Sequence, residues 1–191
     1  MTDAGGYKTT GDAPALAAAV GASGPARVLD VGCGAGGVAL CMMDENSKLK
    51  MTGIDMSDKM LADASRNARL NGRDIELLKR DIFDWKTTRQ FDFVVTNPPY
   101  FSGTPRRDNA HHNVDIYGWT SACVKRLRAR GVFYCIVSTG VMDKVIAALS
   151  NGKCGGITVR VAPSDRVIIS GRLGVKTGAK LLIDLCSNNK V

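Results

Sequence analysis

Asn97-Pro98-Pro99-Tyr100 follows directly on the apolar run 91–95 and gathers, in four residues, the groups that recognise a flat amine. Pro99 keeps Pro98 out of the α region, and neither proline carries a backbone N–H. The segment is therefore stiff and extended, with carbonyls left to accept hydrogen bonds from a ligand. Asn97 adds a side-chain carbonyl, and Tyr100 adds a flat ring. Two acceptors beside a stacking ring suit a planar ligand that bears an –NH2 group. Asn97, Pro98 and Tyr100 are the expected reactive constellation.

A second constellation lies upstream. Asp30 ends the short apolar strand 27–31, which also holds Val31, and Gly32, Gly34, Gly36 and Gly37 follow around Cys33 and Ala35. Such glycines let the chain turn tightly and let a ligand approach the backbone. The bare pattern also fits a plain tight turn or a dinucleotide site. Asp30, however, places negative charge where a pyrophosphate would avoid it, and no basic residue stands nearby. A cation with an amino group suits that position better. Asp55 ends the next strand, where a carboxylate can accept both hydroxyls of a ribose. Asp81 follows a third strand, placed to accept from an adenine amino group while Ile82 covers the ring. Open α/β sheets bind ligands at the edge where such strand ends meet.

The elements that must position these residues alternate. Strands are expected over 27–31, 49–54, 75–78, 91–96 and 132–137. Helices are expected from the glycine turn to about Met43, from the N-cap Ser57 to about Asn71, over 114–128 and over 141–149. Gly72 stops the second of these helices. Strand–helix alternation argues for a parallel sheet with helices on both faces. The stretches 157–162, 167–172 and 181–186 are β-rich with little helix between, which fits an antiparallel finish.

Composition sets the frame. A chain of 191 residues with 45% apolar content can bury one substantial core, so residues 1–191 are expected to form one domain. The apolar runs are too short to span a bilayer, and the first residues lack a signal pattern, so no membrane partner is expected. The six cysteines show no paired spacing and no His at zinc spacing, so buried free thiols in a reducing cytoplasm are expected, with no metal. Residues 1–96 carry 12 Lys/Arg against 13 Asp/Glu, whereas residues 97–191 carry 14 against 5. A basic half points to a polyanion such as RNA or DNA. Lys125, Arg126, Arg128 and Arg130 are expected at a solvated helix end. Trp85 and Trp119 are expected to pack rather than to hold a base.

Taken together, the glycine-rich turn after Asp30, the acidic strand end and the Asn-Pro-Pro-Tyr segment resemble a class I S-adenosylmethionine-dependent methyltransferase of the amino-methylating kind. More narrowly, the chain is similar to the bacterial enzymes that methylate N6 of the adenine beside the anticodon of a valine tRNA. Gly6-Tyr7-Lys8 with Asp12 resembles that family's cofactor-covering segment, and Asn97 to Phe101 its catalytic motif. Arg107 with Ala110-His111-His112, and Arg166-Val167 with the run Arg172 to Lys176, resemble its downstream basic stretches. His111 stands where that family has Arg, and the loop after Phe101 is short. The resemblance implies a Rossmann-like, mostly parallel seven-stranded sheet with an antiparallel C-terminal hairpin. It implies S-adenosylmethionine as cofactor, held by Asp12, Asp30, Gly32, Gly34, Gly36, Asp55, Met56, Asp81, Ile82 and Asn97. It implies tRNA as partner, contacted through Pro99, Tyr100, Phe101, Arg107 and His112, and a monomeric cytoplasmic enzyme.

Rival readings keep part of this picture. Asn-Pro-Pro-Tyr also serves release-factor glutamine methyltransferases, because a primary amide presents the same –NH2 geometry. Those usually carry an additional helical domain, for which a chain of this length has no expected room. DNA adenine methylation generally needs a target-recognition module. A non-catalytic RNA-binding protein with a relic cofactor fold is the remaining class, against which the intact Asp30, Asp55 and Asn97 argue.

Overall fold

The computed structural model describes residues 11–99, 115–162 and 164–176. Tyr100, Phe101, Arg107, His111, His112, the 6–8 segment and the 181–186 stretch lie outside the described residues.

In chain order the elements are α1 (Asp12–Val20), β1 (Ala26–Val31), α2 (Gly37–Glu45), β2 (Leu49–Asp55), α3 (Asp58–Leu70), β3 (Ile75–Lys79) and β4 (Phe91–Thr96). They continue with α4 (Ile116–Val124), β5 (Leu127–Ser138), α5 (Met142–Asn151), β6 (Cys154–Ala162) and β7 (Arg166–Leu173). The seven strands form one sheet in the order β3-β2-β1-β4-β5-β7-β6. β1 to β5 run parallel, and β7 lies antiparallel between β5 and β6. This is the expected mostly parallel sheet with an antiparallel C-terminal hairpin.

Period-two alternation along the strands sends apolar side chains to both faces. Leu29, Val94, Phe133 and Cys135 pack with Cys123, Val145 and Leu149 of α4 and α5. Val28, Val95 and Ile136 pack on the opposite face with Leu16 of α1, Met42 of α2 and Ala68 of α3. Both layers are clusters of buried apolar side chains, between which the strands are clamped. Ser57 caps α3 as expected, its hydroxyl accepting from the Met60 N–H at 3.3 Å. Cys33, Cys123, Cys135 and Cys154 are buried free thiols, and Cys41 is a half-buried one. Among the described residues, no helix is long and apolar enough to cross a membrane.

The helix expected over 114–128 is shorter than its sequence suggests. It ends at Val124, and β5 already begins at Leu127. The Phe91 N–H donates to the Arg126 carbonyl at 2.9 Å, and Leu127 then pairs with Phe91 where both strands begin. The register shifts before Val132 pairs with Phe93, and Arg130 in that bulge has φ +63°. At Gly131 a Cβ would lie 3.0 Å from the carbonyl oxygens of both Arg128 and Phe91, so any larger residue would have to displace backbone.

The basic cluster expected at a solvated helix end is corrected in part: exposed Lys125 does cap α4, whereas Arg126 is half-buried and Arg128 and Arg130 belong to β5. Arg126 lies 5.7 Å over the Trp85 ring and donates to the Trp85 carbonyl at 2.7 Å. Arg128 pairs with Asp92, and Arg172 donates to the Arg130 carbonyl at 2.8 Å. Part of the basic excess is thus structural. Trp85 is buried, as expected of a packing residue.

Candidate active site

The sheet reverses its winding between β1 and β4, and their carboxyl ends leave a crevice there. Asp30 pairs in register with Val95, and Val31 with Thr96, which brings Asp30 and Asn97 to neighbouring strand ends. A cavity of about 590 Å³ opens at this edge, within the usual range for a small-molecule site. Asp12, Asp30, Gly32, Gly34, Asp55 and Asn97 line it, as do Pro98 and Pro99.

The strand ends are pinned from behind. The Thr96 hydroxyl is fully buried, donates to the Val31 carbonyl at 2.8 Å and accepts from the Trp119 indole N–H at 3.1 Å. Trp119 is thus a packing residue, as expected, that ties α4 to the two strands carrying the site. Asn97 is half-buried, Pro98 is buried and Pro99 is exposed. Asn97 and Pro98 thus leave the sheet as part of the cavity lining.

The glycine turn is built from left-handed backbone. Gly32, Gly34 and Gly36 have φ of +69°, +52° and +85°, which other residues rarely adopt. The N–H groups of Gly32 and Cys33 both donate to the Ile54 carbonyl, at 2.9 and 3.0 Å. Asp55 braces the same turn: one carboxylate oxygen accepts from the Gly34 N–H at 2.9 Å and the other from the Ser57 N–H at 2.9 Å. Each oxygen keeps a lone pair for a further donor.

Asp30 is electrostatically incomplete. It is only 1% exposed, and one carboxylate oxygen has no hydrogen-bond partner. Burial pushes its pKa up to about 7; the Ala39 backbone N–H opposes part of that rise, and the Asp55 charge adds to it. A buried carboxylate on a cavity wall, with one oxygen left unpaired, favours a cationic occupant. The Cys33 thiol beside it is pushed far up by burial and by the charges of Asp30 and Asp55, so it stays protonated and is no nucleophile.

Not every expected cofactor residue is on the wall. Gly36 caps α2, where a Cβ would meet the Ala64 side chain at 3.4 Å. Met56 is exposed, and Ile82, expected over an adenine ring, is 2% exposed among Leu29, Val31 and Ile54. Asp81 accepts from the Phe83 N–H at 2.9 Å, beyond the residues that line the cavity. Conversely, Met60, Asn67 and Arg166 line it without having been expected as cofactor residues. Asn67 donates to the Ala35 carbonyl at 3.0 Å, and seven residues separate it from Met60 on the same α3 face. Among the described residues, no cluster of His, Cys, Asp or Glu is placed to hold a metal ion.

The chain resembles known proteins along most of its length. It is 33% identical over 166 residues to a release factor glutamine methyltransferase of Geobacter sulfurreducens, covering 78% of this chain and 58% of that one. It is 29% identical over 149 residues to a tRNA1(Val) (adenine(37)-N6)-methyltransferase of Bacteroides thetaiotaomicron, covering 73% of this chain and 63% of that one. A crystal structure from Agrobacterium tumefaciens, described as a predicted O-methyltransferase, shares the fold: TM-score 0.74, 21% identity, 93% of this chain and 89% of that one. The matched stretches span 24–63% of the length of the curated relatives. The family model of the methyltransferase small domain matches residues 13–145, from α1 through the glycine turn and Asn97 into α5. The chain belongs to the methyltransferase small-domain family, S-adenosylmethionine-dependent enzymes built on this sheet.

Proposed function

We propose that this protein methylates the exocyclic N6 amine of an adenine in RNA, at the anticodon-loop position 37 of a tRNA. The observation that carries the reading is the cavity at the β1–β4 switch point, which Asp30, with one oxygen unpaired, lines together with Asn97 and Pro98.

The residues present fit S-adenosylmethionine. Asp30 suits the ammonium of its amino-acid end, and the spare lone pairs of Asp55 suit ribose hydroxyls. Gly32 and Gly34 let the ligand lie against backbone. When bound, S-adenosylmethionine would supply an electrophilic methyl group on a neutral-thioether leaving group, which leaves the chain no leaving group to protonate.

The chain's own task is to prepare the amine. The nitrogen of an aromatic amine is a poor nucleophile because its lone pair is delocalised into the ring. The Asn97 side-chain oxygen and the Pro98 carbonyl each accept one N–H, which orients the lone pair and stabilises positive charge developing on nitrogen. The rigid β4 terminus, held by Thr96 and Trp119, keeps both acceptors in place before substrate arrives. Tyr100, next in sequence, supplies the ring on which the base stacks, a contact worth roughly 1–3 kcal/mol. The excess proton passes to solvent.

RNA is supported by the relative that acts on adenine 37 and by the net +9 of residues 97–191. A glutamine side-chain amide is the second reading, supported by the release-factor relative. Incubation with methyl-labelled S-adenosylmethionine, total RNA and ribosome-free protein extract separates them. Label in tRNA as N6-methyladenosine is expected. Label confined to protein would replace the first reading with the second.

A further inference from the structure

Among the described residues lining the cavity, three are carboxylates (Asp12, Asp30 and Asp55) and one, Arg166, is a cation. Arg166 opens β7 and pairs with Ser138, the last residue of β5, so the antiparallel hairpin delivers it to the carboxyl edge of the parallel strands. The turn before it is tightly built. Ser164 and Asp165 hold φ of +62° and +56°, and Asp165 accepts from the Thr139 hydroxyl at 2.5 Å. Arg166 Nε lies 3.6 Å from a carboxylate oxygen of Asp12, the first residue of α1. Both side chains are mostly shielded, at 24% and 15% exposure.

Resting on the cofactor reading above, we propose that Arg166 binds the carboxylate of the cofactor's amino-acid end, with Asp12 as the counter-ion that holds its guanidinium in place. Charge complementarity is the reason. The amino-acid end of S-adenosylmethionine is a zwitterion, and Asp30 can satisfy only its ammonium. A carboxylate brought into a space walled by Asp12, Asp30 and Asp55 needs a cation beside it. A guanidinium is suited to this, since its planar donors match a carboxylate and its charge persists at every working pH. Arg166 is thereby a cofactor-binding residue rather than a phosphate contact for RNA, and it makes the site select for an intact amino-acid end.

Calorimetry on the full chain with two ligands tests this. S-Adenosylmethionine and its decarboxylated form share adenosine, sulfonium and amine and differ only in the carboxylate. The wild-type chain is expected to prefer the intact ligand by about 10-fold or more, the range of a charge-assisted hydrogen bond. Arg166→Gln is expected to lose that preference while binding the decarboxylated ligand within about 2-fold of wild type. Arg166→Lys is expected to keep part of the preference, and thermal unfolding verifies that each variant is folded. Equal losses for both ligands in Arg166→Gln would overturn the proposal and leave Arg166 as a structural pin for α1. A wild-type chain that does not distinguish the two would overturn it too. Binding of neither ligand would overturn the cofactor reading itself, a separately recognisable failure.

Discussion

Two cavities of similar size lie at opposite ends of the same strands. The one at the carboxyl edge, about 590 Å³, holds Asp30, Asp55 and Asn97. The other, about 560 Å³, lies toward the amino ends of β1, β2 and β4 and is lined by Arg27, Thr52, Glu76 and Arg89. In the second cavity Glu76 and Arg89 satisfy each other. Arg89 donates to both oxygens of Glu76, at 2.9 and 2.5 Å, and the Thr52 hydroxyl donates to Glu76 at 2.9 Å. These bonds hold the Glu76 carboxyl below its ordinary range. In the first cavity a buried carboxylate oxygen has no partner and its pKa is pushed up to about 7. Volume does not separate a binding site from a surface hollow here; unmet polar demand does.

The largest expected effect breaks the first cavity's chemistry without emptying it. Asn97→Ala is expected to lower kcat/KM by at least about 100-fold, the scale of losing one preorganised dipole. Cofactor affinity by calorimetry should change little. Retained methylation in the purified variant would remove Asn97 from its role.

Asp30→Asn should move stability and binding in opposite directions. The folded pKa of Asp30, about 7, lies above its ordinary 3.8, so protonation favours the folded state. That contribution is complete below 3.8 and is lost as pH rises through about 7. It amounts to something on the order of 4 kcal/mol. The ligand-free wild type should therefore melt lower as pH rises from about 5 to about 8, and Asp30→Asn should lack that fall. Cofactor affinity of the wild type should rise over the same interval as the carboxylate ionises, and the variant should bind weakly throughout. A variant with wild-type melting and binding profiles would contradict the assignment.

Asp55→Ala is expected to weaken the cofactor by about 10-fold, through the lost acceptor and the loosened turn together. Unchanged affinity in calorimetry would count against the ribose contact. The smallest effect belongs to the other cavity. Glu76→Gln should cost under about 1 kcal/mol in denaturant unfolding, since the pair is half-exposed, and should leave cofactor affinity and turnover alone. A loss of affinity there would break the contrast between the two ends.

How much of this is legible in the sequence follows from physical range. Asp30, Asp55 and Asn97 can be read because each is a polar residue ending or following an apolar strand, and a parallel sheet gathers such ends along one edge. The order of elements is legible for the same reason. The end of α4 is not: Leu127 continues a helical apolar spacing, and only pairing with Phe91 across the sheet assigns it to β5. Arg126 looks like a solvated cation because its ring partner, Trp85, lies far back in the chain. Arg166 reads only as part of a basic stretch because a charge does not announce its partner, and Asp12 stands at the other end of the sequence. Met60 and Asn67 leave a fainter signal, a shared helix face turned toward the glycine turn.

Everything above depends on the carboxyl-edge cavity holding the methyl donor while the opposite one does not. Amide chemical-shift mapping with S-adenosylhomocysteine, the cofactor without its methyl, tests this residue by residue. Saturable shifts are expected at Gly32, Gly34, Asp55 and Asn97, with Thr52, Glu76 and Arg89 unmoved. Shifts centred on Glu76 and Arg89, or none anywhere at saturating ligand, would contradict it.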